Sequence, residues 1–80
     1  MPKRITHYSV LIEWDSVERV WVTHVPAFNY LSTYGKTREE ALDQTREAII
    51  GYLEAAEKEG MPFPSGDIKA ELVELEVATP

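Results

Sequence analysis

Near its start the chain alternates apolar and polar positions with a period of two. In residues 5–14, ITHYSVLIEW, the side chains of Tyr8, Val10, Ile12 and Trp14 are two apart and share one face of a strand. The polar stretch DSVER, residues 15–19, leads into VWVTHV, residues 20–25, a β-rich run closed by Pro26, which has no backbone donor. Together they predict a hairpin with a loop of about five residues. LSTY, residues 31–34, is a short third strand of a meander, stopped by Gly35. On the sheet face opposite the Tyr8 set the pattern assigns Ile5, Leu11, Trp21 and Val25, with no cover for them in this chain.

The period then changes from two to between three and four. Ala41, Leu42, Thr45, Ala48, Ile49, Tyr52, Leu53 and Ala56 draw an apolar stripe down a helix of about 22 residues, roughly 33 Å long. TREE, residues 37–40, is a capping box, in which Thr37 accepts from the Glu40 amide and the Glu40 carboxylate returns to the Thr37 amide. Glu39 and Glu40 at one end, Lys58 at the other and a Glu54 to Lys58 pair suit the helix dipole. Gly60, followed by Met61 and Pro62, is a stop signal. Residues 61–67 form an extended tether, because the residue before each proline is driven out of helical space.

A last strand is predicted over residues 68–77, IKAELVELEV. Its apolar positions are even up to Leu72 and odd from Val73, so a bulge or bend belongs there. The order is β-β-β-α-β: an α+β fold, an antiparallel meander plus a C-terminal strand with one long helix packed on one sheet face. The 80 residues predict a single domain, 1–80.

Composition narrows the function classes. With 44% apolar and 28% charged residues and no cysteine, the chain has the makings of a core and no disulfides. No apolar run approaches a membrane span and none follows the first residues as a secretory leader, so cytoplasm is the expected address. A formal charge of -6 disfavours phosphate backbones and favours a basic protein partner.

In chain order, Tyr8-x-Val10-x-Ile12-Glu13, an acidic loop, Trp21-Val22, Val25-Pro26, Gly35-x-Thr37-x-x-Glu40-Ala41, Ala48, Tyr52-Leu53 and Gly60-x-Pro62-x-Pro64 resemble the HicB-like antitoxins, over about residues 8 to 67. The resemblance implies a partial RNase H-like fold. It also implies a non-catalytic function: binding and neutralising a small HicA-type toxin that cleaves mRNA, in a type II toxin-antitoxin system. Phe28-Asn29-Tyr30-Leu31 departs from the family's Leu-Pro-Gly-Cys type of corner, with Tyr30 where a small, flexible residue is usual. Longer members carry a C-terminal DNA-binding segment; none is expected here, and no direct nucleic-acid binding. A solitary homo-oligomeric domain with another partner is the alternative reading.

Chemistry offers little beside this. Glu13, Asp15 and Glu18 invite comparison with the metal-binding carboxylates of RNase H enzymes, but Asp15 and Glu18 read as turn residues. His7 and His24 lack a third close-spaced ligand. No serine sits in a nucleophile elbow, and Gly35-Lys36-Thr37 lacks the earlier glycine of a phosphate loop. No catalytic residue, metal or cofactor is expected. The candidate partner-binding residues are the aromatics Trp14, Trp21, Tyr30 and Tyr34, with Ile50 and Gly51 on the helix; Thr37, Glu40 and Gly60 are structural caps. A homodimer or higher oligomer would cover the exposed sheet face or edge.

Overall fold

The computed structural model describes residues 5–80; the first four residues, including the basic pair Lys3 and Arg4, lie outside the described residues. Three strands, β1 (Leu11–Asp15), β2 (Val20–Val25) and β3 (Leu31–Gly35), form an antiparallel sheet in the order β1-β2-β3. One helix, α1 (Arg38–Lys58), follows and packs over β3 and β2. The α+β class and the meander agree with the sequence pattern.

The β1–β2 loop has four residues, 16–19, not five. The Asp15 carboxylate shapes it, accepting from the amides of Val17 at 2.9 Å and Glu18 at 3.0 Å. Arg19 closes it in the left-handed region at φ 59°, its amide donating to the Asp15 carbonyl at 2.7 Å. This length pairs Trp14 with Trp21 and Ile12 with Thr23. Residues directly opposite on neighbouring strands share a face, so even positions of β1 lie with odd positions of β2. Trp21 and Val25 therefore stand on the helix side with Ile12 and Trp14, which corrects their assignment to the open face.

The core is small and its centre is polar. Val25, Phe28, Ala41 and Ala56 are its buried apolar side chains. Thr23 of β2, Thr33 of β3 and Thr45 of α1 bring their hydroxyls together, at 2.6 Å between Thr23 and Thr45, 2.7 Å between Thr33 and Thr45, and 2.9 Å between Thr23 and Thr33. Thr45 also donates to the Ala41 carbonyl at 2.8 Å, and the Thr33 amide donates to Thr23 Oγ1 at 3.2 Å. Every hydroxyl has a partner, so burial leaves none of them unsatisfied. At one end of this cluster Phe28 lies edge-on between Tyr8 and Tyr52, with ring centroids 4.8 and 4.9 Å away. At the other, Gly35 lets the helix approach: a Cβ there would sit 2.5 Å from the Ala41 nitrogen.

Both helix ends follow their sequence signals. Thr37 accepts from the Glu40 amide at 3.0 Å, but the Glu40 carboxylate reaches the Lys36 amide, at 3.3 Å, instead of that of Thr37. At the far end Gly60, at φ 68°, donates to the Glu57 carbonyl and Met61 donates to that of Ala56, the paired bonds of a Schellman motif. The Glu54 to Lys58 pair is not formed; the ion pair on the helix is Arg46 with Asp43, at 3.5 Å.

Two expected strand segments are unpaired. Residues 5–10 belong to no ladder, because β2 ends at Val25 and the chain turns into a short 3-10 helix, Pro26–Phe28, which offers them no edge. The last strand, over residues 68–77, does not form within the chain, and neither does its bulge. Alternating apolar positions specify a strand but not its neighbour, and here the segment is exposed throughout.

Candidate functional site

With the helix covering one face, the register defines the other. Leu11 and Glu13 of β1, Val20, Val22 and His24 of β2, and Ser32 and Tyr34 of β3 face away from α1. Leu11, Val20 and Val22 are half-buried, and no described helix or strand lies above them, while Tyr34 is 69% exposed. Two carboxylates, Glu13 and Asp15, lie beside the strip on β1. His24 Nε2 lies 3.2 Å from Glu13 Oε1, and these two residues, with Asp15, Ser16 and Val22, line a shallow groove beside the hairpin loop. Among the described residues no three His, Cys, Asp or Glu side chains converge in a way that could hold a metal ion. Glu13 is engaged with His24, and one oxygen of Asp15 with the loop amides.

The residues singled out in the sequence do not gather at one place. Trp14 and Trp21 are cross-strand partners on the helix side, in edge-to-face contact with centroids 5.5 Å apart and planes at 61°. Trp14 is the outer member, 47% exposed, because α1 does not reach over β1. Tyr34 belongs to the opposite face. Ile50 and Gly51 are exposed on the helix, and a Cβ at Gly51 would meet nothing within 4 Å. His7 lies by the turn at residues 65–67, away from the Glu13 and His24 pair.

Tyr30 occupies the corner after the 3-10 helix. Asn29 and Tyr30 are both left-handed, at φ 56° and 61°, and the Tyr30 amide donates to the Val25 carbonyl at 3.0 Å. Asparagine tolerates this region; a bulky tyrosine does so at a cost of about 1 kcal/mol or more. Its ring gains no burial in return, being 61% exposed.

The outer strip of Val20 and Val22 was not visible as a face in the sequence. Its signal lay in the loop length, since one residue fewer between β1 and β2 exchanges the faces of every residue in β2. Among the described residues no helix is long and apolar enough to cross a membrane.

The chain is 39% identical over 57 residues to a UPF0150 protein of Thermoplasma acidophilum, an alignment covering 71% of this chain and 81% of that relative. No family model matches the chain. No solved structure matches it either.

Proposed function

The chain belongs to the UPF0150 family, and from that premise we propose that it is a HicB-like antitoxin domain: a non-catalytic cytoplasmic protein that binds and neutralises a small HicA-type toxin. The observation that carries this reading is the open sheet face, in which Leu11, Val20 and Val22 form an apolar strip beside Glu13, Asp15 and the exposed ring of Tyr34. An enzyme that cleaves mRNA must hold a phosphate backbone, and it does so with lysine and arginine. A protein of charge -6 with two carboxylates beside an apolar strip complements such a surface. Inhibition then needs no chemistry. Occupying the basic groove of the toxin excludes RNA, the apolar strip supplies affinity, and the carboxylates steer the encounter.

The ordered motifs from Tyr8 to Pro64 support the HicB-like part of the reading. A metal-dependent nuclease of the RNase H type is less well supported, since Asp15 is engaged in its own turn and Glu13 with His24. The test is co-expression with a HicA-type toxin, taken from the neighbouring reading frame where that frame encodes a small basic protein. Rescue of growth and co-purification of the two chains are expected; a toxin that remains fully active with no complex recovered rejects the antitoxin reading.

A further inference from the structure

Residues 68–77 are the least explained part of the molecule. Leu72, Leu75 and Val77 are 90%, 82% and 71% exposed, in a segment patterned as a strand that has no strand partner among the described residues. The whole chain exposes 7116 Å², against roughly 4,900 Å² expected for a compact monomer of this mass. Its radius of gyration is 15.4 Å, against about 11.6 Å for 80 residues packed as one globule. The surplus surface, about 2,200 Å² per chain, exceeds the roughly 800 Å² per partner of a standard interface and falls in the range of obligate homodimers.

The same chain also has a vacant strand position. β1 is an edge of the sheet, and its side away from β2 has no strand partner over residues 11–15; residues 7 and 8 before it already carry the segment at 64–66. At about 3.3 Å per residue, the stretch from residue 9 to 15 has room for about seven residues of 68–77. The other edge, β3, lies under α1, whereas beside β1 the helix side is less covered and leaves Trp14 47% exposed and Ile12 half-buried. A strand added at β1 would place alternate apolar side chains against these two residues.

We propose that residues 68–77 are an exchange arm, which adds as a fourth strand to the open β1 edge of a second copy while that copy's arm does the same in return. The root of the arm is fixed. Tyr8 donates its hydroxyl hydrogen bond to the Pro64 carbonyl at 3.0 Å, and Gly66 packs so closely on His7 that a Cβ would lie 2.5 Å from the His7 carbonyl oxygen. Beyond this anchor the arm leaves its own sheet. The change of phase at Leu72 and Val73 suits such a path, because a strand shared between two bodies presents its apolar side to one with its first half and to the other with its second. Reciprocal exchange is closed by two-fold symmetry, so it yields a dimer and not a fibre. The arm takes the edge of β1 and the toxin the outer face of the sheet; Glu13 and Asp15 border both, so substitutions at Leu75 in the arm and Val22 at the centre of the face tell the two readings apart.

The test uses the full chain in sedimentation equilibrium at about 100 μM, well above the dissociation constant expected for an interface of this size. A mass twice the 9.1 kDa of the chain is expected. Val73→Pro, which removes a ladder donor, and Leu75→Asp should each raise the dimer dissociation constant at least about tenfold with the helical circular dichroism unchanged. In a mixture of isotope-labelled and unlabelled copies, contacts between Leu75 methyls and the Trp14 indole should cross between chains. A monomeric wild-type chain, or a dimer unaffected by both substitutions, overturns the proposal.

Discussion

Tyr30 combines a left-handed backbone with an exposed ring, a pairing that stability alone does not favour. Tyr30→Gly should raise stability by about 0.5–1 kcal/mol, the relief of left-handed strain outweighing glycine's extra freedom in the unfolded chain. Chemical denaturation measures it, and an unchanged or lower midpoint would mean that the ring contributes packing. The threonine cluster predicts the opposite sign. Thr23→Val removes the hydroxyl that accepts from the Thr33 amide and contacts Thr33 and Thr45, and should cost about 1–3 kcal/mol in the same assay. Tyr30 was marked in the sequence because it broke a family pattern, yet its strain could be seen only in the backbone. Thr45 was visible as part of the helix stripe; its partners Thr23 and Thr33 were not, since a threonine within a β-rich run reads as strand propensity before it reads as a core hydrogen bond.

At the scale of elements, the strands and helix were largely legible because periods of two and of three to four leave separate signatures, and because the helix carries its own start and stop signals. Those signals predict measurable costs. Thr37→Ala removes the acceptor for the Glu40 amide and should cost about 1 kcal/mol. Gly60→Ala puts a Cβ on a left-handed residue and should cost about the same. Thermal unfolding of both variants checks this, and a loss confined to one end would show that the other cap is redundant. The relation between β1 and β2 was less legible. It depends on whether the turn spans four residues or five, a choice made by Asp15 gathering two amides and by Arg19 accepting a left-handed backbone. That one residue moved Trp21 and Val25 into the helix side and turned Val20 and Val22 outward. The last strand was legible as a pattern, but its partner was not, because pairing of a terminal strand is a long-range choice that no local signal encodes.

For the molecule as a whole, the two proposed interfaces differ in electrostatic sign. Binding of a basic toxin to a surface of net charge -6 should weaken as salt rises. Self-association through the arm brings Glu71, Glu74 and Glu76 towards Glu13 and Asp15, so it should strengthen with salt. Measuring both constants across a salt series separates the surfaces, and a common sign would mean that they are not distinct. The central claim concerns the open face of the sheet, and a calorimetric titration of the full chain with a HicA-type toxin tests that claim most directly. The expected result is a saturable complex with a submicromolar dissociation constant, weakened about 100-fold by Val22→Asp at the centre of the strip. No binding at tens of micromolar, or a Val22→Asp chain that binds as the wild type does, would contradict it.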